Sequence, residues 1–196
     1  RIVGKSGSLS YLYLGALDRN TIFTIPGEES SSTVPTSENS LVNILRTRLE
    51  LGNESYLGGM FFTRNIGDAH NYLLGFDWNY KFLKNWYFGG EGFLSHTREM
   101  NRPDLFGDTR EFGSTGHTAV FDGESYGGSG IHLALQHQQR SYALTLVYND
   151  FSPTYQTYNG LFAQNNYRQA YMSHTYLFYP GKFLVDRGQL GISSNI

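Results

Sequence analysis

The sequence predicts an all-β chain, an antiparallel up-and-down transmembrane β-barrel, on three observations. Glycine (23), tyrosine (15) and phenylalanine (14) are heavily used among 196 residues, and leucine-rich helical periods are absent, a composition that favours strands. Several segments alternate apolar and polar side chains, the period of a strand with two different faces. The joins between them fall near residues 18–39, 52–54, 65–70, 81–84, 97–123, 137–139, 152–165 and 180–182, and the odd ones are longer than the even ones. Outer-membrane barrels sort their connections this way, with short periplasmic turns and long extracellular loops.

Taken in order, the opening segment Leu9–Leu17 alternates weakly and leaves its facing open. Residues 27–40 form a low-complexity polar tract. Segment Leu41–Leu51 places Leu41, Leu45, Leu49 and Leu51 on one face and Arg46, Arg48 and Glu50 on the other; Ser55–Arg64 offers Tyr56, Met60 and Phe62 on one face. The clearest strand is Tyr72–Tyr80, with Tyr72, Leu74, Phe76, Trp78 and Tyr80 opposed to Leu73, Gly75, Asp77 and Asn79. After a turn at Lys81–Lys84, Trp86, Phe88 and Leu94 face outward, and Tyr87, Glu91, Phe93 and Ser95 inward. Residues 97–123 are expected to fold over the barrel mouth. Ile131, Leu133 and Leu135 face outward, as do Tyr142, Leu144, Leu146 and Tyr148; His132 and Asn149 face inward. Tyr167–Tyr179 alternates weakly. The expectation is one barrel domain or segment over residues 1–196, with about eight to ten strands and completed by strands outside it. The opening Arg1-Ile-Val-Gly and the tail Gly191–Ile196 read as those of a segment of a longer chain.

A net charge of −2 provides no electrostatic case for nucleic acid. Cysteine is absent, which excludes disulfides and thiolate metal sites. No run approaches the roughly 18 apolar residues of a membrane helix. Tyr72, Trp78, Tyr80, Trp86, Tyr142 and Tyr148 are the expected membrane-interface aromatics.

The candidate site is a lumen-lining charged set: Arg46, Arg48, Glu50, Asp77, Glu91 and His132. A register that keeps inner faces together sets Asp77 opposite Gly89 and Gly75 opposite Glu91, making the two carboxylates diagonal neighbours roughly 7–8 Å apart. Such a set suits an acidic pore wall or a carboxylate pair for acid–base work; the default is a solvated lumen balanced by arginines. Histidines 70, 96, 117, 132, 137 and 174 lack i, i+2 or i, i+4 spacing, so no metal or other cofactor is expected. No catalytic residue is expected either: Ser95 and His96 point to opposite faces, and Ser129 and His132 differ in parity. The runs Gly127–Gly130 and Gly89–Gly92 are strand glycines, since no helix follows to make a phosphate loop.

The run Asn159-Gly-Leu-Phe-Ala-Gln-Asn-Asn-Tyr-Arg168, after Asp150-Phe-Ser-Pro153, resembles a signature near the end of a family of uncharacterised Gram-negative outer-membrane barrels. The Tyr-Leu-Gly-Gly-Met-Phe-Phe-Thr-Arg run of Tyr56–Arg64 is similar to that family's strand pattern. The resemblance implies an outer-membrane location, lipid as a partner, and an N-terminal carbohydrate-binding-like module attached to the barrel in family members. It carries over no catalytic residue. The expected function is thus a non-enzymatic outer-membrane barrel, serving as a polar-solute channel or as the anchor of an attached module. One alternative is an outer-membrane lipid or peptide hydrolase with a site in loops 97–123 and 152–165. The other is a soluble β-barrel binding an apolar ligand, which inverts the facing above.

Overall fold

The computed structural model describes residues 1–159, 162–179 and 187–195. These contain twelve strands: β1 (Ile2–Ser6), β2 (Leu9–Asp18), β3 (Ile22–Ile25), β4 (Ser32–Pro35), β5 (Ser40–Gly52), β6 (Ser55–Ile66), β7 (Ala69–Leu83), β8 (Trp86–Arg98), β9 (Ser125–Gln138), β10 (Tyr142–Phe151), β11 (Tyr167–Phe178) and β12 (Gly188–Asn195). Ten form one antiparallel sheet in the order β1-β2-β5-β6-β7-β8-β9-β10-β11-β12, each strand beside its neighbour in sequence except where the β3–β4 hairpin is inserted. Among the described residues no pairing joins β1 to β12, so both are edges.

The turns have the backbone that tight hairpins demand. Asn53 and Glu54 both take positive φ (49° and 62°), as a two-residue type I′ turn requires. Two joins differ from the sequence reading. A short turn at Gly7–Ser8 separates β1 from β2, and the join expected to be long at residues 65–70 shrinks to Gly67–Asp68, with Gly67 at φ 58°. The expected join at 180–182 lies outside the described residues. Among the connections whose residues are all described, one rim carries short turns, whereas the other carries residues 19–39 and 99–124 as well as that one short turn; residues 152–166, described except for 160 and 161, lie on this second rim too.

The tract at 27–40 is not wholly irregular, because Ser32–Pro35 pairs with Ile22–Ile25. This hairpin buries Phe23, Ile25 and Val34 against Met100, Phe112, Ala119 and Phe121 of residues 99–124, Tyr126 of β9 and Tyr158 of the next loop. Burying each large apolar side chain stabilises by roughly 1.5–3 kcal/mol, so the three long connections hold one another as one packed cap. Residues 97–123 do fold over one end of the sheet.

The two faces of the sheet differ. The face carrying Asn71, Leu73 and Asp77 is covered at the long-loop end, and all three are buried. The opposite face is open: Leu74 is 55% exposed, Phe76 50% and Tyr80 54%. Leu45, Leu57, Phe61, Phe88 and Leu94 extend this exposed apolar surface over neighbouring strands. On β6 the set Tyr56, Met60 and Phe62 belongs to the covered face, opposite Asn79, Gly75 and Leu73, while Leu57 and Phe61 face out. An apolar interior beneath a polar coat, as a soluble ligand-binding barrel requires, is not the arrangement of this face.

Candidate functional site

Strand pairing aligns residues into rows running across the sheet. One row on the covered face joins Lys5, Ser10, Arg48, Gly58, Asp77, Glu91, His132, Asn149 and Gln169 through directly opposed positions on nine strands. Four of the six lumen candidates, Arg48, Asp77, Glu91 and His132, therefore share a single line. Arg46 and Glu50 lie on the same face of β5, one row to either side.

The β7–β8 hairpin pairs in a register different from the expected one. Asp77 stands directly opposite Glu91, and Gly75 opposite Phe93. The cause lies at the turn: β7 runs on to Leu83, a bulge falls between Lys81 and Leu83, and the chain reverses at Lys84–Asn85 with Asn85 at φ 65°. A bulge places two residues against one, and the sequence alone did not mark it.

The two opposed carboxylates have different partners. Asp77, 4% exposed, forms a two-pronged ion pair with Arg46: Nη1 donates to Oδ1, and Nη2 to Oδ2 at 2.7 Å. The pair reaches from β5 to β7 across β6, over Gly58. A Cβ there would lie 2.7 Å from both Arg46 terminal nitrogens and would overlap Asp77 Oδ1. Glycine at 58 is thus the gap through which the bridge passes. Arg48 pairs with Glu50 (Nε to Oε1, 2.7 Å) and lies 3.7 Å above the Tyr56 ring centre. Glu91 is exposed and has no ion pair among the described residues. Its other neighbour, His132, sets Nδ1 2.6 Å from Asn149 Oδ1, and Asn149 Nδ2 donates to Gln169 Oε1 at 3.3 Å. With Nδ1 protonated, these groups form a chain of donors running from β9 to β11.

Toward the long-loop rim, residues 152–159 double back onto the covered face. Asn71 Nδ2 donates to Gln156 O (3.2 Å), Tyr158 N to Asn71 Oδ1 (3.0 Å), Gln156 N to Ser95 Oγ (3.4 Å) and Arg64 Nε to Asn159 Oδ1 (3.0 Å). Tyr155 packs with Leu73 and Phe151, flanked by Phe62, Phe93, Phe162 and Tyr167. Burial pushes the Tyr155 and Tyr158 phenols up, keeping both neutral. Gly128 lets this segment lie on the sheet: a Cβ there would stand 2.5 Å from Tyr155 N and 2.6 Å from Thr154 O. Gly130 accepts the Phe151 ring in the same way. The glycine run 127–130 is therefore a packing device.

At the short-turn rim, Glu54 accepts hydrogen bonds from Lys81 Nζ and from Tyr87 OH (2.8 Å). Together they hold its carboxyl below the usual range. All six expected interface aromatics sit on the open face, but at different heights. Trp78 and Tyr148 share one row through Gly90 and Leu133, and the Trp78 ring lies over Gly90. Tyr80, Phe82, Trp86, His137, Tyr142 and His174 form an unbroken line of ring contacts, with centroids 4.4–6.5 Å apart. Phe82, His137 and His174 were not expected in this belt. Tyr72 lies near the other end, stacked on His70 at 4.5 Å.

Among the described residues no Ser or Thr hydroxyl is hydrogen-bonded to a histidine ring; the ring partners are Glu124 for His117 and Asn149 for His132. One carboxylate group, Glu99, Asp122 and Glu124, has metal-ligand spacing. Comparison with family models, with curated proteins and with solved structures finds no match.

Proposed function

We propose that this chain is the wall of an outer-membrane β-barrel that anchors itself in lipid, with its lumen stopped at the long-loop end by its own connections. The observation that carries the reading is an inverted pattern midway along the strands: Arg46, Arg48, Asp77 and Glu91 lie on the covered face, while Leu45, Phe61, Leu74, Phe76 and Phe88 stand exposed on the open one, whose Asp150–Arg168 ion pair lies toward the long-loop rim. Exposed apolar patches of this extent mark surfaces that meet another apolar phase. The nine residues from Tyr72 to Tyr80 match the roughly 9–11 that a tilted strand needs to cross a bilayer. The aromatic line from Tyr80 to His174 suits one interface. The reading requires β1 and β12 to be paired in the membrane, because unsatisfied backbone groups in lipid cost several kcal/mol each. An attached surface module as the anchored cargo belongs to this proposal through the resemblance above.

A second reading, a channel for a polar solute, is favoured by Glu91, which remains exposed on the covered face. Planar-bilayer recording separates the two. The anchoring reading expects no steady conductance from the wild-type protein. Gly128→Val, which drives a side chain into the Tyr155 backbone, is expected to introduce conductance by dislodging the stopper. Steady wild-type conductance whose reversal potential moves when Asp77 and Glu91 are neutralised together would replace the anchor with the channel.

A further inference from the structure

We infer that Glu99, Asp122 and Glu124 form a divalent-cation site at the long-loop rim, with calcium the best-fitting ion. This inference does not depend on the membrane reading. Glu99 directly follows β8, and Asp122 and Glu124 directly precede β9, so the site ties together the two ends of a long connection. The backbone already closes that base, where Glu99 N donates to Glu124 O at 2.9 Å. One oxygen from each carboxylate lies within 4.8 Å of the others. Oxygens bound at 2.3–2.6 Å to one calcium ion lie within about 5 Å of each other.

Proximity of acids is not enough, and Glu99 provides the second observation. It is 1% exposed; Oε1 accepts the Tyr126 hydroxyl at 2.6 Å, while buried Oε2 has no hydrogen-bond partner. A buried carboxylate oxygen left without a partner costs folding energy unless something positive satisfies it. No lysine or arginine pairs with any of the three carboxylates among the described residues. His117 places Nδ1 3.0 Å from Glu124 Oε2. An all-oxygen donor set selects a hard ion over zinc or copper.

Tyr126, bonded to Glu99, is placed to sensitise terbium luminescence at this position. The test titrates the purified, chelator-stripped chain with terbium and then displaces it with calcium. The expected result is one terbium per chain, displaced by calcium with a dissociation constant on the order of 10⁻⁴–10⁻³ M, as in extracellular calcium modules. Asp122 is exposed, so Asp122→Asn removes a ligand without disturbing the core and is expected to weaken calcium at least about tenfold. Glu99→Gln keeps the acceptor for Tyr126 and is expected to lose the calcium-induced rise in melting temperature. Glu111→Gln, in the same loop, is expected to behave as wild type. Absence of saturable binding up to about 10 mM, above the weakest range of such modules, overturns the site, as does equal affinity in Asp122→Asn.

Discussion

Replacing Phe76 by arginine is expected to destabilise the folded chain in lipid vesicles by about 2–4 kcal/mol, the depth-dependent penalty for a cation at the bilayer midplane of a barrel. Phe76 sits midway along the open face of β7, half-exposed, between Gly59 on β6 and Gly92 on β8. Neither neighbour has a side chain to shield it. The same substitution at Tyr72, near one end of the apolar stretch, is expected to cost only about 0–1 kcal/mol. Denaturant titration of both variants in vesicles measures the difference. In water the sign of the reasoning reverses, because an arginine on an exposed strand face is tolerated within about 0.5 kcal/mol. Equal, small effects at the two positions would therefore show that this face meets solvent.

The second large effect is expected inside. Arg46→Met leaves the Asp77 carboxylate buried and unpaired beside Gly58, and is expected to cost about 3 kcal/mol, the low end of the range for breaking a buried ion pair. The low end applies because the Arg46 side chain is 30% exposed and its charge is partly solvated already. Adding Asp77→Leu is expected to recover most of the loss, since removing both charges removes the desolvation penalty as well. Urea unfolding of the single and double variants in one detergent gives the coupling energy. A double variant as unstable as Arg46→Met would mean that the pair acts through something other than its charges.

How far the fold was legible follows from where its periodicity is local. The facing of β7, β8, β9 and β10 was readable because Tyr72–Tyr80, Trp86–Ser95, Ile131–Gln136 and Tyr142–Asn149 alternate cleanly, although only on β7 do the two faces differ sharply in burial, and Ile131–Gln136 and Tyr142–Asn149 are half-buried on both. The register of β7 against β8 was not readable, since it depends on a bulge near Phe82 and a turn at Lys84–Asn85. The β3–β4 hairpin was hidden because Ser32–Pro35 contributes only Val34 to the packed cap. The cap itself draws Met100, Phe112 and Phe121 from irregular segments with no repeat to reveal them. In the candidate site, residue types and faces were legible, but their pairing was not. Arg46 finds Asp77 two strands away through a missing side chain at Gly58, a contact that only the assembled sheet creates. The acidic triplet was out of reach for the same reason, coming from opposite ends of one long loop.

The central claim is that the ringed, open face meets hydrocarbon. The chain has two tryptophans, Trp78 and Trp86, and both lie on that face, so their fluorescence reports on it directly. In vesicles whose acyl chains carry bromine, quenching is expected for both, with Trp78 responding to deeper bromines than Trp86, which lies in the aromatic line near the short-turn rim. Fluorescence indifferent to brominated lipid at every depth, yet quenched freely by aqueous iodide, would contradict the account.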